Sequence, residues 1–190
     1  MASTTRQRIL DTTAALFVRH GYTGTGLKQI VAAANAPFGS VYHHFPGGKA
    51  QLGEEVIHRS GRMYAELVTG VIDAAPDLLT GIEHAFAGAA AVMEATDYID
   101  ACPIATVALE VASSNEALRR ATAEVFESWI RLIHQRLAGA GIDAGQARPL
   151  AIALIQLLEG GFMLSRAARS TEALTAAGRA AATLVAAALP

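Results

Sequence analysis

Asn35-Ala36-Pro37-Phe38-Gly39-Ser40-Val41-Tyr42-His43-His44-Phe45-Pro46-Gly47-Gly48-Lys49 is the stretch from which the rest of the chain is read. Pro37 and Pro46 bracket a segment with room for one short helix, about Phe38 to Phe45. Val41 and Phe45 are four residues apart, so they share the face turned toward a core. Ser40, Tyr42, His43 and His44 lie elsewhere around the helix and are polar. Asn35 stands where a tight turn between two helices needs positive φ, which Asn tolerates better than most residues. Gly39 omits a side chain near the helix start and lets backbone approach a partner closely. Such a helix suits insertion into a DNA groove. Its own N–H groups, the Tyr42 hydroxyl and the Lys49 ammonium suit phosphate oxygens.

Working back toward the N-terminus, a helix is expected from Thr5 to His20, with Ser3 or Thr4 as its cap. Ile9, Leu10, Ala14, Leu16 and Phe17 form its apolar face, Gly21 ends it, and Tyr22 anchors the loop that follows. A second short helix is expected from Leu27 to Ala34, capped by Thr25. Lys28 occupies the position where a reciprocal capping box would carry Glu. Helix, turn and third helix together read as a helix-turn-helix.

Forward of Lys49 the pattern stays helical, with segments expected near 47–73, 77–96, 103–113, 115–140, 145–168 and 172–189. Alternating β-branched runs are missing, and the six prolines are read as marking helix starts or stops. The fold class is therefore all-α, with about nine helices. Two domains are expected: a three-helix head over residues 1–46 and a helical body over residues 47–190. Asp77, Asn115 and Asp143 are candidate caps.

Charge divides the same way. Residues 1–50 hold five bases against Asp11, a net of +4, while the remainder carries a net of −6. A basic head on an acidic body directs the head at a polyanion. Mean hydropathy is +0.32, much of it from alanine. The richest apolar run, Leu150 to Leu164, carries Gln156 and Glu159, so no membrane span is expected. The polar start, Met1 to Arg8, argues against a signal peptide, and a single cysteine, Cys102, fits a reducing cytoplasm.

The head resembles the TetR family of bacterial transcriptional repressors. The resemblance rests on Arg8-Ile9-Leu10, Ala14-Ala15-Leu16-Phe17, Gly21-Tyr22, Ile30-Val31-Ala32 and Gly39-Ser40-Val41-Tyr42-His43-His44-Phe45 followed by Lys49. Pro46-Gly47-Gly48-Lys49, Cys102-Pro103-Ile104-Ala105 and Leu158-Glu159-Gly160-Gly161-Phe162 resemble the LmrA/YxaF-like subgroup. The resemblance implies phosphate contacts from Thr25, Tyr42 and Lys49, and base-edge contacts near Phe38, Ser40 and His43. Lys28, Gly39 and His44 complete the candidate DNA-binding set. One departure stands out. Phe38 occupies a position that often carries Lys or Arg in the family, so a cationic contact is exchanged for a ring able to pack on a thymine methyl.

For the body, the resemblance implies a small-molecule site and a homodimer. Large adaptable side chains are the candidate effector lining: Met63, Phe86, Met93, Phe126, Trp129, Ile133, Phe162 and Met163. Each also suits an ordinary core. Glu110 and Glu159 lie within apolar runs and need exposure, a partner or a cavity; Arg119, Arg120 and Arg166 are candidate partners. Gln156 and His134 are further hydrogen-bonding candidates. Cys102 at a helix start is a candidate ligand contact, a redox sensor or a small buried thiol. The Gly160-Gly161 pair is expected to loosen its helix and admit close approach by a ligand or another helix.

The last two helices, about 145–189, are the expected dimer surface, with an intramolecular role as the alternative. A twofold dimer predicts a pseudo-palindromic operator of double-stranded DNA. No nucleophile constellation, phosphate loop or metal-ligand spacing points to an enzyme. Adjacent His43 and His44 point about 100° apart and suit one metal ion poorly. No cofactor is expected. The reading is a ligand-responsive repressor released by a small hydrophobic molecule. The alternatives are a redox-responsive regulator using Cys102 and a DNA-binding protein without a ligand.

Overall fold

The computed structural model describes residues 3–100 and 102–190. Among them the chain forms nine helices and no strand: α1 Thr5–His20, α2 Leu27–Ala33, α3 Gly39–His44, α4 Gly48–Asp73, α5 Leu78–Ala95, α6 Pro103–Val111, α7 Glu116–Gly139, α8 Ala144–Ala168 and α9 Glu172–Ala188. Each agrees with its sequence expectation to within about two residues, because the punctuation is chemical. Thr4 caps α1 by accepting from the Gln7 N–H. Asp77 caps α5 through Thr80, Asp143 caps α8 through Gly145, and Asn115 accepts from Leu118 ahead of α7. Gly21 closes α1 at φ 67°, and Asn35 turns the chain at φ 47°.

Two local expectations are corrected. Gly26, not Thr25, is the N-cap of α2; the Thr25 hydroxyl instead donates to the Gly21 carbonyl at 2.7 Å and is buried. Pro149 lies inside α8 rather than at its start. Asp143 begins the helix early enough to place that proline past the first turn, where one ladder hydrogen bond is forgone.

The helices group into two compact units. The first comprises Met1–Met63 and Cys102–Val125, the second Tyr64–Ala101 and Phe126–Pro190. In the first unit Ile9, Phe17, Ile30, Val41, Phe45, Leu52, Ile57, Ile104, Val107 and Leu118 are buried. Each such side chain contributes about 1.5–3 kcal/mol on removal from water. Ion pairs tie the same helices at the surface, Arg6 with Glu55 and Arg59 with Asp11, and the His58 ring stands 3.6 Å from the Glu124 carboxylate.

In the second unit α9 packs along α8 and α5. Leu174, Ala177, Ala181 and Val185 of α9 join Ile82, Phe86, Met93, Leu137 and Leu154 in one core. Small residues set the spacing. A β-carbon on Gly161 meets Leu174 at 2.8 Å, and one on Gly178 meets Phe86 at 2.8 Å. Of the Gly160-Gly161 pair only Gly161 admits the close approach by α9, the space beside Gly160 being open, and α8 remains one unbroken helix. Among the described residues α8 alone is long and apolar enough to cross a membrane by length and composition, and 22% of its most apolar window is buried inside the protein.

Candidate nucleic-acid interface

The face that α3 presents is set by its two inward anchors. Val41 and Phe45 have no exposed surface, and Phe45 is further covered by the Arg6 guanidinium 5.1 Å from its ring centre. The rotation this imposes turns Phe38, Gly39, Tyr42 and His43 outward, with Ser40 and His44 half-buried. Phe38 is 46% and Tyr42 52% exposed, and their rings lie 6.1 Å apart. A β-carbon on Gly39 meets nothing within 4 Å, so the space beside it is open. Lys28 is exposed on α2. The residues expected to face DNA are therefore brought to one helix-turn-helix, with two exceptions.

Thr25 is the first exception: its side chain is spent inside the loop, so the hydroxyl is not presented outward. Lys49 is the second. Its ammonium donates to the Tyr22 carbonyl at 2.7 Å and lies 4.1 Å from the centre of the Tyr22 ring. Burial lowers its pKa, an effect that the nearby Glu110 carboxylate opposes. Burial raises the Tyr22 hydroxyl. The lysine placed by sequence beside the recognition helix is turned inward.

Glu110 is also relocated. It belongs to the first unit, where its Oε2 accepts from the Thr23 N–H at 2.8 Å. Its partner is a loop amide, not Arg119 or Arg120; Arg119 pairs with Glu116 three residues away. Arg8, which sequence reasoning passed over as part of a motif, holds the turn. It donates from Nε to the Ala34 carbonyl at 3.1 Å, and to the carbonyls of Asn35 and Ser3. The signal for it was the Asn35 turn itself, whose preceding helix leaves C-terminal carbonyls seeking donors.

The twelve candidate effector residues separate. Met63, Cys102 and Glu110 fall in the first unit and the other nine in the second. Met63 is exposed and edges a shallow depression of about 180 Å³ shared with Leu10, Val56 and the Asp11–Arg59 pair. Cys102 is buried at the N-cap of α6, its sulfur accepting from the Ala105 N–H at 3.5 Å. In the second unit Phe86 and Met93 are core residues, with Ile133 and Phe162 packed against them. Phe126 and Trp129 meet edge to face, their rings 5.6 Å apart. Gln156 faces outward and Glu159 is half-buried. Met163 is 62% exposed, so it lines no enclosed space within the protomer. His134 Nδ1 and Ser165 Oγ are buried without a hydrogen bond to any protein group.

Known proteins match along most of the chain. The family model described as "Transcriptional regulator LmrA/YxaF-like, C-terminal domain" matches residues 79–180. That described as "Bacterial regulatory proteins, tetR family" matches residues 9–56. The HTH-type transcriptional regulator LmrA of Bacillus subtilis is 31% identical over 169 residues, covering 89% of this chain and 90% of that protein. YxaF of the same organism, also named as an HTH-type transcriptional regulator, is 34% identical over 160 residues, 84% of each chain. The crystal structure of a regulatory protein TetR from Rhodobacter sphaeroides superposes with a TM-score of 0.85 at 23% identity, covering 96% of this chain and 99% of that one.

Proposed function

This chain belongs to the tetR family of bacterial regulatory proteins, with a C-terminal domain of the LmrA/YxaF-like type, and from that premise we propose a ligand-responsive repressor of transcription. Members of the family are DNA-binding transcription regulators rather than enzymes. The head, residues 1–46, reads the operator through α3. The body, residues 47–190, binds a small hydrophobic effector and dimerises.

One observation carries the reading: on α3, Val41 and Phe45 are wholly buried while Phe38 and Tyr42 are exposed. An isolated two-turn helix gains nothing from displaying two rings to water, whereas a groove-reading helix does. Phe38 packs on a thymine methyl, Tyr42 and Lys28 bind phosphate, and Ser40, His43 and His44 lie at base edges or backbone. Gly39 lets the helix approach closely.

The dimer forms through residues about 145–189. Leu174, Ala177, Ala181 and Val185 are used within the protomer. A neighbouring seam of α9 exposes Ala176, Ala180 and Leu184 at helical spacing, and α8 exposes Met163 and Leu164. A second copy covers this seam, which also accounts for the apolarity of α8 in a cytoplasmic protein. A twofold pair of heads then selects half-sites one DNA turn, about 34 Å, apart or a multiple of it.

The effector enters among the helices of the second unit, where the partly buried Ile133 and Phe162 edge the core that holds Phe86 and Met93 and His134 offers a polar atom. α4, Gly48–Asp73, is the helix whose tilt changes the spacing of the heads. A loss of about 1.4 kcal/mol lowers operator affinity tenfold. A gel shift on DNA upstream of the protein's own gene, with and without candidate hydrophobic effectors, tests this. The reading predicts a retarded band that an effector releases; a band unaltered by every effector that binds the protein removes ligand response.

A further inference from the structure

In the first unit, the Glu110 side chain of α6 reaches the α1–α2 loop. Glu110 Oε2 accepts from the Thr23 N–H at 2.8 Å. The carboxylate lies so close over Gly21 that a β-carbon there collides with its Oε1. Gly21 is at φ 67°, a conformation that independently favours glycine. The loop beneath is tightly wound. Thr25 Oγ1 donates to the Gly21 carbonyl, the Thr25 N–H reaches the Tyr22 carbonyl at 3.2 Å, and Gly26 then opens α2. Lys49 also donates to the Tyr22 carbonyl at 2.7 Å.

We propose that Glu110 is a positioning residue for operator binding, a carboxylate clasp on the Thr23 amide that fixes the loop carrying α2. The inference rests on the operator-binding reading above. Glu110 touches no DNA. It acts through Thr23, and with Lys49 on Tyr22 it holds the loop at two adjacent backbone groups. The attraction between the Lys49 ammonium and the Glu110 carboxylate makes the two grips mutually supporting. α2 starts directly after this loop and packs with α3 on α1, so a loosened loop frees α2, which carries the exposed Lys28.

The test uses the full-length protein with Glu110→Ala, Glu110→Gln, Gly21→Ala and the Gly21→Ala/Glu110→Ala double variant. Operator affinity is read by fluorescence anisotropy over a range of salt, and Thr23 amide protection by hydrogen exchange of the free protein. A charge-assisted hydrogen bond of this kind predicts about a tenfold loss of operator affinity in Glu110→Ala. The salt dependence stays unchanged, because no phosphate contact is lost. Glu110→Gln, whose amide oxygen still accepts, stays within about threefold of wild type. Gly21→Ala displaces the carboxylate, so its loss is smaller in the Glu110→Ala background than alone.

Strictly additive losses, a changed salt slope, or wild-type affinity in Glu110→Ala overturns the proposal, as does unchanged Thr23 protection. If the wild-type protein itself selects no DNA, the regulator reading fails, while Thr23 protection still decides whether the clasp exists.

Discussion

The Nε of Arg8 donates to the carbonyl of Ala34 at 3.1 Å, so a side chain of α1 closes the C-terminal end of α2 where the chain turns toward α3. A helix end leaves several carbonyls without partners, and a guanidinium offers enough donors for several at once. Arg8 also reaches the Asn35 carbonyl at 3.4 Å. Arg8→Ala is predicted to lower stability by about 1.5–3 kcal/mol, the usual range for a hydrogen bond to a charged group. Urea unfolding measures it, and a change below about 0.5 kcal/mol, the level of a featureless surface substitution, counts against the role.

Phe38 is predicted to read a methyl group. Replacing thymine by uracil at its half-site position removes one methyl, worth about 0.8 kcal/mol or about fourfold in affinity. Phe38→Ala should abolish that sensitivity. Equal losses for Phe38→Ala on the thymine and uracil operators leave the methyl contact without support.

Lys28 and Lys49 are predicted to behave differently. Lys28→Ala should weaken operator binding across sequences and reduce the salt slope by about one. Lys49→Ala should weaken binding with the slope retained, because its ammonium is committed to Tyr22. Affinity measured against salt separates them, and a slope that falls in Lys49→Ala returns that residue to the phosphate backbone.

Leu184, 45% exposed on α9, is predicted to lie at the dimer seam. Leu184→Glu places like charges against each other across a twofold axis and should shift the protein to monomer in sedimentation, with the helical circular dichroism kept. Leu174→Ala, inside the protomer, should instead cost about 2–5 kcal/mol of stability. A dimer that survives Leu184→Glu unaltered moves the interface elsewhere.

Acid is predicted to weaken the fold through the caps and surface pairs. Hydrogen bonds from Thr80 lower the pKa of Asp77, and those from Arg119 and Arg148 lower Glu116 and Glu127. A carboxylate lowered in the folded state stabilises above its unfolded pKa and loses that contribution as pH falls through its folded value. The melting temperature should therefore fall as pH drops below about 4. Asp77→Asn should show a shallower fall; an identical profile removes Asp77 from the effect.

The helices were legible because their boundaries are written in local chemistry: Gly21 after α1, Asn35 at the turn, Asp77 and Asp143 as caps. The orientation of α3 was legible too, since Val41 and Phe45 share a face at any rotation that buries either. What sequence did not disclose are the long-range commitments of polar groups. Lys49 beside α3 reads as a phosphate ligand until the Tyr22 carbonyl, 27 residues earlier, is found accepting its hydrogen bond. Glu110 in an apolar run reads as a pocket carboxylate until Thr23, 87 residues away, is found donating to it. Likewise the alanine stripe of α9 divides into a buried and an exposed part. Leu174, Ala177, Ala181 and Val185 are drawn into the protomer, and only the structure separates them from the exposed seam of Ala176, Ala180 and Leu184.

The central claim is that paired α3 helices read a twofold operator. The most direct measurement is selection of bound fragments from the organism's own DNA by the full-length protein, followed by titration of the selected site. The account predicts a pseudo-palindrome bound with a stoichiometry of at least two protomers per site, and at least 10³-fold more tightly than unrelated DNA, the lower end for specific regulators. Binding to all sequences with equal affinity, or to a site without twofold character as a single protomer, would contradict it.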